Sequence, residues 1–152
     1  MLKILQEHDA VVVTASLRIL ATTDLHMHLT AHNYVTDAPT PNPGLAGIAT
    51  LIEKARTEAA AQDAACLLFD NGDLLQGTAM GDWLAQQPVT PDHPAIACFN
   101  RLGYDAVGAG NHDLDYGMTY LRDVAAQLSS PMVASNLRAT DLGALTPSAL
   151  IP

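Results

Sequence analysis

The sequence predicts an α/β domain built around a layered sheet, and three observations predict it. Short apolar runs that read as strands alternate along the chain with segments of helical periodicity. Polar clusters rich in Asp, His and Asn directly follow three of those runs, at DLHMHLTAH (24–32), NGD (71–73) and GNHD (110–113). Ligands of open α/β sheets gather outside the carboxyl ends of the strands, so the placement of the clusters argues for the same layout. At 152 residues and 16.0 kDa, with 49% hydrophobic residues, the chain is long enough for one domain with its own core.

The elements follow in order. Residues 16–22 form a near-continuous apolar run through Leu17, Ile19, Leu20 and Ala21, the pattern of a buried strand. Residues 30–43 contain Pro39, Pro41, Asn42 and Pro43 and read as a loop. GLAGIATLIEKARTEAAAQ (44–62) then places Leu45, Ile48, Leu51, Ile52 and Ala55 at helical spacing, predicting an inward face with the charges opposite. A second strand over 66–70 runs into NGDLLQGTAMGD, a glycine-punctuated turn before a short helix around Trp83 and Leu84. Pro94 opens a helix through Leu102 that Gly103 caps, and 105–109 is a third strand. A helix over 118–128 and a fourth strand over 132–135 follow, and the tail from Arg138 shows no clear periodicity. No internal repeat is present.

Composition excludes some functions. A net charge of −9 and a pI near 4.7 leave no basic stripe for a nucleic-acid polymer. No run approaches the roughly 18 apolar residues of a membrane span, and MLKILQEHDAVVVTA reads poorly as a signal peptide. Cys66 and Cys98 lie in apolar segments without a CxxC pair and read as buried free thiols. His8 and His93 read as surface histidines, and His28 and His32 as non-ligands beside the first cluster.

Each cluster alone has a turn-chemistry explanation: Asp24 as a cap, Asp73 beside Gly72, and Asn111 with Asp113 bonded to nearby backbone. Together they suggest a site. Asp24 and His26 supply a carboxylate and an imidazole two residues apart, Asp73 a second carboxylate, and GNHD an amide oxygen, an imidazole and more acid. Such mixed nitrogen and oxygen donors suit Zn²⁺, Mn²⁺ or Fe²⁺ better than Ca²⁺. A carboxylate bridging two ions would allow two-metal hydrolysis.

DLH (24–26), NGDLLQGTAMGD (71–82) and GYDAVGAGNHDLDYG (103–117), with ASNL at 134–137, resemble the first signature blocks of the calcineurin-like metallophosphoesterases. LRILATTDLHMHL and LLQGTAMGD resemble most the 2′,3′-cyclic-nucleotide 2′-phosphodiesterase/3′-nucleotidase branch, beside the 5′-nucleotidases. The resemblance implies an α/β/β/α sandwich, nucleotide phosphoester hydrolysis and two divalent ions. Asp24 and His26 would bind the first ion, Asp73 would bridge both, and Asn111 would bind the second. His112, oriented by Asp115, would contact the phosphoryl oxygens or the leaving group. A periplasmic or other extracytoplasmic compartment is also implied, as is a small nucleotide or phosphoester substrate.

The family adds metal-binding histidines from later blocks, whereas this chain has none after His112. The second metal site is therefore expected to be incomplete. Residues 1–152 are expected to be the N-terminal part of a catalytic domain, without its second half and its nucleoside-binding domain. Impaired turnover and self-association through exposed apolar surface are the corresponding expectations. Two rival readings stand beside this one. DLHMH also resembles the HxH motif of PHP phosphoesterases and amidohydrolases, in which His26 and His28 would both ligate; the other rival is a non-catalytic metal-binding or interaction fragment.

Overall fold

The computed structural model describes residues 15–138 and 142–150, which leaves His8 and the apolar start of the chain outside the described residues. In chain order the elements are β1 (Ser16–Thr22), the two-residue strands β2 (His32–Asn33) and β3 (Ala38–Pro39), α1 (Gly44–Ala60), β4 (Ala64–Asp70), α2 (Ala79–Leu84) and α3 (Pro94–Leu102). β5 (Ala106–Gly108), a 3₁₀ turn (His112–Leu114), α4 (Met118–Gln127), β6 (Met132–Val133) and β7 (Leu145–Thr146) complete the chain.

Five strands form one parallel sheet in the order β1-β4-β5-β6-β7. β1 and β4 pair along their whole length, from Ser16 opposite Ala64 to Thr22 opposite Asp70. Parallel neighbours need crossover connections, here supplied by α1, by α2 with α3, and by α4. Each crossover steps in the same direction across the sheet, and right-handed crossovers then place the helices on one face. Burial agrees. Leu68, Val107 and Met132 are buried in a core with Ile52, Ile96, Phe99, Leu121 and Val124. On the opposite face Leu17 and Ile19 are 55% and 61% exposed, across from Ala65 and Leu67. Apolar residues therefore cover both faces of the β1–β4 pair, which explains the near-continuous hydrophobic runs.

Most elements lie where periodicity puts them. α3 spans Pro94–Leu102, and Gly103, in the left-handed region at φ 62°, ends it. Several details differ. β4 starts two residues early, while β5 and β6 are shorter than their apolar runs. Leu51 is 65% exposed despite its helical spacing, because β1 is the edge strand and the outer side of α1 overhangs it. The proline-rich loop contains the β2–β3 hairpin, whose turn Asn33 Oδ1 holds by accepting from the Val35 and Thr36 amides. The aperiodic tail supplies β7, with Leu145 opposite Met132. Cys66 and Cys98 are free but only half-buried.

His93 corrects a surface expectation. It is 5% exposed, with Nε2 2.9 Å from the Tyr120 hydroxyl, and burial holds its pKa below the ordinary value. The contact joins the start of α3 to α4, 27 residues away, so local pattern carries no sign of it. Among the described residues, no helix is long and apolar enough to cross a membrane.

At the end of the β1–β4 pair, Asp70 is buried and accepts from the Thr22 hydroxyl at 2.5 Å and from the Gly72 amide at 2.9 Å. The Tyr104 hydroxyl lies 2.9 Å from Thr22 Oγ1. Burial pushes the Asp70 carboxyl from 3.8 up to about 6; the Thr22 and Gly72 bonds oppose this, and the charges of Asp113 and Asp24 add to it. Between those two values the unfolded chain has released the proton that the folded chain still holds. Rising pH therefore removes stability, on the order of 3 kcal/mol in total, and above the folded value the loss is complete. Asn fits the same partners, its oxygen facing the Gly72 amide and its NH₂ facing Thr22. Asp70→Asn is expected to flatten the pH dependence of the urea midpoint between about pH 4 and 6. An unchanged difference between wild type and variant across that range would refute the assignment.

Candidate metal centre at the strand ends

The β1–β4 pairing does not stop where the strands do. Beyond it, Asn71 N donates to Thr22 O at 2.9 Å, Asp24 N to Gly72 O at 3.0 Å, His26 N to Asp73 O at 2.9 Å and Met27 N to Leu74 O at 2.8 Å. These bonds lay the segment DLHM along GDLL. Leu25, Met27 and Leu29 are buried, while Asp24, His26 and His28 alternate with them toward solvent. The local geometry is strained. Asp24, His26, Met27 and Asp73 all have positive φ, at 54°, 47°, 55° and 58°. Residues with a Cβ avoid this region at a cost of about 1 kcal/mol or more each, and such strain gathers at functional sites.

In this conformation one ligand atom each from Asp24, His26 and Asp73 lie within 4.8 Å of one another. Among the described residues it is the one group of three or more His, Cys, Asp or Glu so arranged. His26 Nδ1 lies 2.8 Å from the Gln76 carbonyl, to which it donates, leaving the Nε2 lone pair available 3.9 Å from Asp24 Oδ1. A ring nitrogen held this way by a backbone carbonyl is the usual support of a metal-binding histidine. The Thr23 hydroxyl donates to Asp24 Oδ2. Two carboxylates and an imidazole, converging and partly exposed, fit a divalent cation of the Zn²⁺, Mn²⁺ or Fe²⁺ type.

The third cluster sits against the second. A Cβ on Gly110 would overlap Asp73 Oδ1, and one on Gly72 would overlap the Gly110 amide, so glycine at both positions lets the loops touch. Asp73 Oδ1 accepts the His112 backbone N–H at 2.8 Å. The imidazoles of His112 and His26 lie with centroids 5.5 Å apart, nearly edge to face. His112 Nδ1 is 2.8 Å from Asp115 Oδ2, and that bond raises the His112 pKa; desolvation opposes it, and the Asp115, Asp73 and Asp113 charges add to it. Asn111 precedes the 3₁₀ turn, one residue from the Asp73 bond, and lines a cavity of about 180 Å³ with Asn136 at the ends of β5 and β6.

His28 and His32 stand apart from the group of three. His28 Nδ1 lies 3.2 Å from Leu25 O, and His32 Nε2 lies 3.3 Å from Asp37 Oδ1; both histidines line a separate cavity of about 330 Å³ beside the hairpin. Asp113 is the residue whose importance sequence reasoning missed. Local backbone bonds were one reading of it, yet it is fully buried and three of its four amide partners lie 38 to 40 residues away. Burial pushes its carboxyl up, while bonds from the Gly110, Leu75, Asp73 and Leu74 amides pull it down.

No family model matches the chain. Over 123 residues, 80% of the chain, it is 42% identical to a 2′,3′-cyclic-nucleotide 2′-phosphodiesterase/3′-nucleotidase of Haemophilus influenzae, of which the match spans 18%. It is 38% identical over 130 residues to the trifunctional nucleotide phosphoesterase protein YfkN of Bacillus subtilis, of which the match spans 9%. The crystal structure of calcineurin-like phosphoesterase YfkN superposes with a TM-score of 0.67 at 35% identity, covering 77% of this chain and 36% of that one. A 5′-nucleotidase precursor from Thermus thermophilus superposes with a TM-score of 0.58 at 27% identity, covering 79% of this chain and 22% of that one. The chain thus spans less than a fifth of the length of these curated relatives, and by its sheet, its strand-end loops and this similarity it belongs to the calcineurin-like phosphoesterases.

Proposed function

We propose that the chain carries part of the metal centre of a nucleotide phosphoesterase of the 2′,3′-cyclic-nucleotide 2′-phosphodiesterase/3′-nucleotidase type, as the N-terminal part of its catalytic domain. The observation that carries this reading is the convergence of Asp24, His26 and Asp73 within 4.8 Å at the strand ends, in strained conformations. Asp24, His26 and Asp73 would hold one divalent ion, and Asp73 with Asn111 would contribute to a second. A cation held there supplies Lewis-acid stabilisation of the negative charge that grows on phosphoryl oxygens.

His112 presents its imidazole beside this group with Nδ1 bonded to Asp115. The Asp115 carboxylate orients the ring and favours its protonated form, so the opposite nitrogen can donate to a phosphoryl oxygen or to the departing alkoxide. The substrate is a small nucleotide phosphoester, for which the net charge of −9 is compatible only when bound cations reverse the local field. Among the described residues this reading assigns the second ion only Asp73 and Asn111, and no histidine follows His112 in the sequence. Weak metal binding and slow turnover by the isolated chain follow. His28, bonded to Leu25 O and outside the group of three, does not favour the rival in which His26 and His28 ligate together.

With Mn²⁺ or Zn²⁺ added, the isolated chain is expected to hydrolyse bis-p-nitrophenyl phosphate slowly, and Asp73→Asn to abolish the activity. Robust turnover would refute slow catalysis, and turnover that survives Asp73→Asn would refute the assigned centre. Mn²⁺ at ten times its Kd should stabilise the fold by about 1.4 kcal/mol, or roughly 3–6 °C in Tm for a domain of this size, with no shift in Asp73→Asn. A wild-type Tm indifferent to metal would instead favour the non-catalytic interaction fragment.

The exposed face carrying Leu17 and Ile19, beside exposed Leu51, supports self-association of the isolated chain, because parallel sheets are ordinarily covered on both faces. Sedimentation velocity should show average mass rising with concentration, and Leu17→Ser with Ile19→Ser should reduce the rise. A monomer at every concentration would overturn this.

A further inference from the structure

Asp113 is the one charged residue among the largest fully buried side chains of the described residues, and its carboxylate is saturated with amide donors. Oδ2 accepts from Asp73 N and Gly110 N, and Oδ1 from Leu74 N and Leu75 N, all at 2.9 Å. Three of these donors are consecutive. Successive amides converge on one point when a residue among them takes the left-handed conformation, and Asp73 does so at φ 58°. The loop after β4 therefore forms an amide nest, and the anion that fills it comes from the loop after β5. The exchange is reciprocal: Asp113 takes the amide of Asp73, while Asp73 Oδ1 takes the amide of His112.

We infer that Asp113 is a positioning residue that holds Asp73 in the left-handed backbone conformation from which its carboxylate joins Asp24 and His26, so that metal affinity depends on residue 113. The inference rests on the metal reading of that cluster. Asp113 touches neither cation nor substrate; it acts through the backbone of residue 73. Asparagine has the same shape but only one acceptor oxygen. In Asp113→Asn the amide NH₂ must face either the Asp73 and Gly110 N–H groups or those of Leu74 and Leu75, placing donors against donors. Loss of such a supporting contact typically weakens metal binding about 10- to 100-fold.

The experiment compares Mn²⁺ binding by calorimetry in the wild-type chain, Asp113→Asn and Val124→Ala. Val124 is fully buried on α4, so its truncation destabilises the core without touching the nest. Affinity is expected to fall at least tenfold in Asp113→Asn and to stay within twofold in Val124→Ala. Equal affinity in wild type and Asp113→Asn overturns the inference, and so does an equal loss in Val124→Ala, which would show general destabilisation. A second readout needs no variant. Coupling is reciprocal, so Zn²⁺ should slow amide hydrogen exchange at Asp73, Leu74, Leu75 and Gly110 in the wild-type chain. Zn²⁺ that binds and leaves all four unchanged overturns the inference even if Asp113→Asn fails to fold. A wild-type chain that binds neither ion refutes the metal reading itself, an outcome distinct from either of these.

Discussion

The parallel pairing of β1 with β4 is the constraint from which the rest of the site follows. Its register puts Thr22 opposite Asp70, and the two side chains bond across the last rung in a buried position. Because the register is set there, the next amides find the next carbonyls: Asn71 to Thr22, Asp24 to Gly72, His26 to Asp73. A slip of one residue would exchange the two faces of β1, burying Leu17 and Ile19 against the helices and turning Leu20 outward. It would also separate Asp24 from Asp73. Strand pairing and site assembly are thus one event, with sheet register serving as the ruler for side chains that lie 49 positions apart in sequence.

Strain at these residues needs compensation, and the hydrogen bonds show where it comes from. Four non-glycine residues in the left-handed region cost several kcal/mol together. Against that stand the backbone bonds that continue the ladder and the four amides gathered by Asp113. Hydrogen bonds to a charged acceptor contribute more than neutral ones, roughly 1.5–3 kcal/mol each. Desolvation of the carboxylate opposes these bonds, and the raised pKa of Asp113 shows that burial outweighs them in its titration. The centre is therefore held from beneath. Its floor is a buried anion among amides, while its upper surface presents partly exposed carboxylates and imidazoles.

What was legible in the sequence divides along the line between local and distant causes. The apolar run of residues 16–22 marked β1 to the residue, and the polar clusters after it and after β4 and β5 marked the strand ends. Asp24, His26 and Asp73 were legible because each interrupts an apolar pattern where a strand must stop. Leu51 was not, since its helical spacing says that one face of α1 is apolar but not that the sheet ends beneath it. His93 and Asp113 were missed for a common reason. Both are polar residues buried by partners 27 to 40 residues away, and neither periodicity nor turn chemistry encodes such a meeting. One signal existed for Asp113: in GNHD it follows a histidine already assigned to chemistry, at a position where the 3₁₀ turn points it the other way.

The sheet face left exposed among the described residues connects the architecture to the chemistry. Leu17, Ile19 and Ala21 form an apolar surface directly below Asp24, continued on β4 by Ala65, Leu67 and Phe69. A layer packed there would end at the same level as the candidate metal cluster, since parallel strands deliver their following loops to one edge. Whatever covers this face is thereby placed to reach the rim of the centre. In the proposed centre Asp73 would serve a second ion together with Asn111, so this edge is also where any further donor would have to arrive. Among the described residues an exposed apolar face and the candidate metal cluster thus lie at one edge of one sheet, so packing against that face would also shape the rim of the centre.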